Sequence, residues 1–383
     1  MLLKLSAPGL RPLSGTSPGP FVGRICTRPD SPLAARSRDI FLSSANELPE
    51  GFRAYLLRTP GDSGGKRDVY LLGAEHGYLG DEDVVRLEPA RGSITALYRR
   101  SSPSNAFLVT ERCDNYCLMC SQPPKEKDDS WLLEELREVI PLVSLDTSAV
   151  GITGGEPALL GKRLVDLVGM LKLHLPRTAV HILSNGRRFS DLAFARDLAR
   201  VQHPDLMVGI PLYSALPEGH DYVVQANGAF DETVRGILNL KRAGVRVELR
   251  FVIHAESYRD LPAFATFVAR NLLFVDHVAL MGLELMGFAK ANLEMLWIDP
   301  LDYHSELFAA VDTLRRAGVP TSIYNHQLCV LPAALHSFAR RSISDWKNLQ
   351  FEECEQCSLR ESCGGFFASA TLRRSRGIAP VRG

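Results

Sequence analysis

Three cysteines within eight residues, Cys113, Cys117 and Cys120 in AFLVTERCDNYCLMC, limit what this chain can build more than any other feature of its 383 residues. A chain this long can bury a core without disulfide staples, so clustered thiols are available as metal ligands. The other cysteines are equally uneven. Cys354, Cys357 and Cys363 fall close together near the end, Cys329 precedes them, and Cys26 stands alone. In a reducing cytosol such clusters read as ligands, with a disulfide framework as the competing account. Three thiolates anchor three irons of a [4Fe–4S] cluster and leave the fourth iron open to a further ligand. Structural zinc is the alternative for this first group, but it calls for four ligands and no other Cys or His lies near in sequence.

The surrounding pattern is α/β. Apolar strand candidates at Ala106–Thr110, Ala149–Thr153, Ala179–Ser184, Leu206–Leu212, Val245–Ile253 and Val278–Leu283 alternate with amphipathic helix candidates, as in βα units around a parallel sheet. Such a set of strands suits a partial barrel over residues 105–290 better than a closed eight-stranded one. The run FDETVRGILNLKRAG has helical spacing and a stop at Gly244. Residues 46–104 carry short alternating runs such as RDVYLLG and predict a small β-rich extension. Residues 1–45, rich in Pro, Ser, Gly and Arg, read as a disordered leader or the product of a misplaced start codon, with a transit peptide as a minor alternative. Residues 291–383 hold a helix candidate from Tyr303 to Ala317 and then the cysteine-bearing tail.

Lys plus Arg and Asp plus Glu both total 44, so the chain lacks the overall charge of a nucleic-acid or anionic-membrane binder. No apolar run reaches the length of a membrane span, and the expectation is a cytoplasmic protein with a small or peptide-like partner.

Further motifs stand at the ends of the strand candidates, the side where barrel folds put reactive groups. The second strand runs into GITGGEP: Gly154 and Gly155 lack Cβ atoms and let backbone approach a ligand, and Glu156 can accept a hydrogen bond from an ammonium. An ordinary strand-to-loop turn is the bland reading. The third strand ends in SNGR, with Ser184, Asn185 and Arg187 as cofactor or substrate contacts, or as a plain Asn-Gly turn. In VELRFVIH, Glu248 and Arg250 share one face, a costly arrangement inside a barrel unless they pair or serve a function. The tail spacing C-x2-C-x5-C plus Cys329 supplies four thiolates, enough to close an auxiliary [4Fe–4S] site or a zinc-ribbon-like one.

The C-x3-C-x2-C run followed by GGEP resembles the radical SAM superfamily, whose open iron chelates S-adenosylmethionine (SAM). The resemblance implies that Cys113, Cys117 and Cys120 hold the catalytic cluster and that Tyr116 matches an aromatic common at its position. It also implies that Gly154, Gly155 and Glu156 meet the methionine amino group and that Ser214 in PLYS faces the ribose; the strand positions of Ser184 and Arg250 suggest a cofactor contact for the first and steering of the cofactor carboxylate for the second. The tail is similar to the auxiliary-cluster domains of peptide-modifying radical SAM enzymes, departing where Phe367 stands in place of a further cysteine. FLVTERCDNYCLMCSQPPK, ITGGEPAL, NHQLCVLP and RRSISDWKN together resemble the HxsC family, radical SAM maturases of the His-Xaa-Ser system, over about residues 86–367. That implies reductive cleavage of SAM to a 5′-deoxyadenosyl radical, a precursor peptide with His-Xaa-Ser repeats, a partner maturase, and an electron donor such as flavodoxin or ferredoxin. Two alternatives stay open: a radical SAM enzyme making a small-molecule cofactor, and a non-catalytic Cys-rich zinc module binding RNA.

Overall fold

The computed structural model describes residues 5–43, 47–341 and 348–382. Most of SISDWKN, part of the family resemblance, lies outside the described residues. The chain divides into two compact units, one made of residues up to 107 with 130–150 and 170–178, the other of 108–129, 151–169 and 179 onward.

The first unit carries an eight-stranded sheet of β1 (Ser6–Pro8), β2 (Leu10–Pro12), β3 (Phe21–Cys26), β4 (Asp39–Ser43), β5 (Ala54–Leu57), β6 (Val69–Leu72), β7 (Val84–Glu88) and β8 (Ser93–Tyr98). Their order is β1-β8-β7-β3-β4-β5-β6-β2. This corrects the expected disordered leader over residues 1–45, whose described part supplies β1 to β4. The physical reason is local. Pro- and Gly-rich residues dominate the composition between the strands, but Phe21, Ile25, Ile40 and Leu42 are apolar and buried and pack with Leu56, Tyr70 and Leu87 in one core, while Phe41 packs with Phe52 and Tyr55 in another. The expected β-rich stretch over 46–104 is thus continuous with the segment before it, since β4 pairs in parallel with β5.

A second sheet runs in the order β15-β14-β13-β12-β11-β10-β9, built from β9 (Asn105–Leu108), β10 (Ala149–Thr153), β11 (Ala179–Leu183), β12 (Leu206–Pro211), β13 (Arg246–Ile253), β14 (His277–Gly282) and β15 (Thr321–Tyr324). The pairs from β11 to β15 are all parallel. The first six strands fall within a residue or two of their expected positions. The seventh, β15, was not anticipated: its TSIY is too short and too polar to signal a strand, and it forms because Ser322 and Ile323 pair with Ala279 and Leu280. Helices connect the parallel strands. Ala229–Arg242 has Asp231 and Glu232 in its first turn and Lys241 and Arg242 in its last, complementing the helix dipole. Gly244 follows at φ +86°, a left-handed stop that costs glycine nothing. Among the described residues no helix is long and apolar enough to cross a membrane.

Candidate active site

The loops that follow β9, β10, β11 and β12 carry Cys113, Cys117 and Cys120, the GGE turn, Ser184 and Ser214, on the face where a parallel sheet presents its strand C-termini, whereas Arg250 lies within β13. The cysteine loop is held by backbone from several directions. Thr110 Oγ1 donates to Asp129 Oδ2 at 2.8 Å, and the Glu111 N–H donates to the same oxygen. Tyr116 N and Leu118 N donate to the carbonyls of Val224 and Val223, at the C-terminal end of helix Pro217–Val224. Phe288 N donates to Cys120 O at 2.8 Å and Asn292 Nδ2 to Leu118 O at 2.8 Å. Met119 anchors the loop in a cluster with Tyr213, Val223 and Leu296. Asp129 and Asn292, both missed by sequence reasoning, serve here as fixings; neither belongs to a motif, and only the folded neighbours give them a role.

Gly154 and Gly155 are required by the protein's own backbone. A Cβ on Gly154 would lie 2.6 Å from Thr110 O, and one on Gly155 would lie 2.1 Å from Arg112 O. Gly155 N donates to Thr110 O at 2.8 Å and Glu156 N to Arg112 O at 2.7 Å, so the GGE turn and the start of the cysteine loop pair closely.

Glu156 is fully buried. Its Oε1 accepts from Ala158 N and Ser184 Oγ, each at 2.7 Å, and its Oε2 accepts from Asn185 N. Burial pushes its carboxyl up to about 7, against those three donors, which pull it down. Where the sequence suggests an acceptor for an ammonium, both oxygens already serve the loop after β11. Ser184 belongs to that same arrangement.

Other expected contacts are also engaged internally. Ser214 is buried, accepts from Leu216 N at 3.1 Å, and sits beneath Gly219, where a Cβ would come 2.6 Å from its hydroxyl. Arg250 approaches Met281 Sδ at 3.2 Å and Glu248 Oε1 at 3.6 Å. Glu248 in turn meets His277 Nδ1 at 2.8 Å, which makes the structural Glu248–Arg250 pairing the arrangement observed. Tyr116 is 45% exposed and its hydroxyl donates to Glu126.

The three loop thiols form one electrostatic group. Burial pushes Cys113 up to about 12; burial, then Cys120 and Cys113, raise Cys117; and burial raises Cys120. Asn115 N donates to Cys113 Sγ at 3.4 Å, and Cys120 Sγ lies 3.0 Å from Gln122 O. A metal that binds these thiols takes the place of their protons, and three thiolates are a donor set that suits a [4Fe–4S] cluster with one open iron.

The tail cysteines also converge. Cys329, Cys354, Cys357 and Cys363 line one small cavity with Leu328, Phe366 and Ile378. Burial raises the Cys329 thiol, and Cys363 and Cys354 add to the effect. Among the described residues no three His, Cys, Asp or Glu are arranged to hold a single metal ion. A tetrahedral zinc would draw sulfurs to about 2.3 Å from one centre, whereas a cluster offers each thiolate its own iron.

Residues 107–268 match the family model described as Radical SAM superfamily. Fe-coproporphyrin III synthase from Methanosarcina barkeri is 30% identical over 164 residues, covering 42% of this chain and 39% of that protein. The match therefore spans about two fifths of that relative. Among solved structures, SuiB of Streptococcus suis bound to S-adenosylmethionine aligns with a TM-score of 0.50 at 13% identity, over 74% of this chain and 75% of that one. Native anSMEcpe with bound AdoMet and Cp18Cys peptide aligns with a TM-score of 0.50 at 15% identity, over 72% and 91%. These likenesses establish the α/β fold with its parallel sheet, and the matched family uses a [4Fe–4S] cluster and SAM.

Proposed function

We propose that this radical SAM enzyme modifies a ribosomally made peptide, in the manner of the His-Xaa-Ser system maturases that its motifs resemble. The observation that carries the reading is the second thiol group: Cys329, Cys354, Cys357 and Cys363, scattered over the tail sequence, surround one cavity. Four thiolates complete an auxiliary [4Fe–4S] cluster and leave it no open iron, which suits electron transfer or substrate contact rather than SAM cleavage. The neighbour anSMEcpe, with its bound Cp18Cys peptide, is consistent with a peptide substrate.

When bound at Cys113, Cys117 and Cys120, the catalytic cluster and SAM supply a 5′-deoxyadenosyl radical. The remaining tasks fall to the chain. The Gly154–Gly155 backbone, packed on residues 110–112, fixes where the cysteine loop begins, and Glu156 and Ser184 brace the neighbouring loop. Buried Met119, Tyr213 and Val224 keep water from the inner side of the cysteine loop.

The test is anaerobic incubation of reconstituted protein with SAM, a strong reductant and a synthetic peptide of His-Xaa-Ser repeats deuterated at its side chains. Deuterium in 5′-deoxyadenosine and a mass change in the peptide are expected. Formation of 5′-deoxyadenosine without either would leave the radical chemistry and remove the peptide. The Methanosarcina relative favours a second reading, action on a tetrapyrrole, which the same assay with coproporphyrin in place of the peptide distinguishes.

A further inference from the structure

Strand β15 ends at Tyr324 and is followed by Asn325, His326 and Gln327, the start of NHQLCVLP. Asn325 and Gln327 line a cavity of about 60 Å³ beyond the ends of β13 and β14, together with Ile253, Leu283, Trp297 and Phe366. A single water needs only about 10–15 Å³, so the space admits a larger group. The cavity adjoins both cysteine groups. Leu283 also packs in the apolar cluster of Met119 and Tyr213 against which Cys117 lies, and Gln327 and Phe366 also line the cavity of the tail thiols.

The turn that carries Asn325 is firmly held. Asn325 is left-handed at φ +60°, a conformation that few residues other than glycine and asparagine take. Next to it, His326 Nδ1 meets Tyr324 O at 2.9 Å. A carbonyl only accepts, so Nδ1 carries the proton, and Nε2 accepts from the buried Tyr303 hydroxyl at 2.7 Å. Burial pushes the imidazole down to about 4 and keeps it neutral. A Cβ on Gly282 would lie 2.6 Å from Asn325 O, so the turn packs directly on the end of β14.

Asn325 Nδ2 donates to Gly282 O at 3.2 Å, which leaves Oδ1 as the other end of the amide. Oδ1 is buried, and among the described residues no donor reaches it. A buried acceptor without a donor costs stability, which an arriving donor restores. Arg373 and Arg374 line the same cavity, held by Glu294 at 2.7 Å and Glu353 at 3.0 Å. Their charge disfavours a cationic occupant, and a carboxylate has no donor for Oδ1. A neutral donor remains, and the one that every peptide carries is its backbone N–H.

We propose that this cavity is a subsite for the peptide substrate, in which Asn325 Oδ1 accepts a hydrogen bond from one backbone N–H between walls that include Trp297 and Phe366. The inference rests on the reading of the substrate as a peptide, and it makes Asn325 a specificity-determining residue.

The test is a fluorescence-anisotropy titration of the full reconstituted chain with a labelled synthetic peptide of His-Xaa-Ser repeats, and with a set of its variants, each methylated at one backbone nitrogen. In wild type, methylation at one position should weaken binding about fivefold, the loss of one hydrogen bond. Asn325→Gly keeps the left-handed backbone and removes the acceptor. It should bind the parent peptide about fivefold more weakly and lose the sensitivity at that position, a coupling that a merely structural Asn325 would not produce. Binding to wild type that no methylation weakens overturns the subsite, and so does a sensitivity that persists in Asn325→Gly. If Asn325→Gly holds less iron than wild type, Ala370→Leu takes its place. It enlarges a side chain on the cavity wall and should weaken binding of the parent peptide several-fold, and unchanged binding again overturns the subsite. A wild-type chain that forms 5′-deoxyadenosine yet neither binds nor modifies the parent peptide defeats the peptide reading and the subsite with it, an outcome read before any variant is made.

Discussion

Gly155 lies against the carbonyl of Arg112 so closely that a Cβ there would sit 2.1 Å from the oxygen. The contact joins the turn after β10 to the residue immediately before Cys113, so the position of the first cysteine is set by the absence of a side chain two loops away.

Gly155→Ala should therefore displace the cysteine loop. Backbone cannot yield as a flexible side chain does, and overpacking of this kind costs about 1–3 kcal/mol. We expect a lower urea midpoint and reduced iron uptake on reconstitution, while Gly169→Ala, at a helical glycine with nothing within 4 Å of its Cβ direction, leaves iron uptake unchanged. Equal iron loading in Gly155→Ala and wild type would show that the loop is not set by this contact.

Glu156 gives stability a pH dependence of unusual sign for a carboxylate. Burial raises its folded value to about 7 from an ordinary 4.5, so the folded state holds its proton more tightly than the unfolded one. Its contribution is complete below the unfolded value and is lost as pH rises through about 7. Wild-type stability should fall between about pH 5 and about pH 8 by more than that of Glu156→Gln, which does not titrate. The glutamine should itself cost about 1–3 kcal/mol, because its NH2 must face a donor that the carboxylate accepted. Urea midpoints that run parallel in the two proteins across that range would count against this role.

Glu248 works in the opposite direction. Burial would raise its carboxyl, but the hydrogen bond from His277 and the charges of Arg250 and His181 outweigh it and hold it below the ordinary range. Its contribution is present above the unfolded carboxylate value and is lost as pH falls through the folded one. Glu248→Gln should be less stable than wild type at neutral pH and lose less than wild type on acidification, as followed by circular dichroism. An acid transition of the same steepness in both proteins would contradict the assignment.

The two cysteine groups should be separable by counting. Reconstituted wild type should hold about eight irons, and chains lacking either Cys113, Cys117 and Cys120 or Cys354 and Cys357 should hold about four. Production of 5′-deoxyadenosine should vanish in the first and survive in the second. Stoichiometric zinc in the tail of anaerobically purified protein, with iron never above about four, would replace the auxiliary cluster by a structural zinc site.

Several parts of this arrangement were legible in the residues alone. The six alternating strands could be read because short apolar or alternating runs bounded by turn residues mark strands, and AVGIT, AVHIL and VRVELRFVI carry such runs whatever their neighbours. The cysteine spacing could be read because ligand type and ligand number are written directly in sequence. The strands of the N-terminal segment could not be: they are short runs set among prolines and glycines, and they become strands only when a neighbouring strand accepts their hydrogen bonds.

The side-chain assignments show the same division. Sequence determined that glycines at 154 and 155 and a glutamate at 156 follow a strand end, but not what they face. Tertiary structure decided that, bringing Arg112 O to within 2.1 Å of the missing Cβ of Gly155 and Ser184 Oγ to 2.7 Å from Glu156. Likewise Arg187, Asn115 and Glu232 are distant along the chain, and no local pattern marks them as partners. A motif fixes which atoms are available to react. The distances that give them a role come from strand register and helix packing, which depend on the whole chain at once.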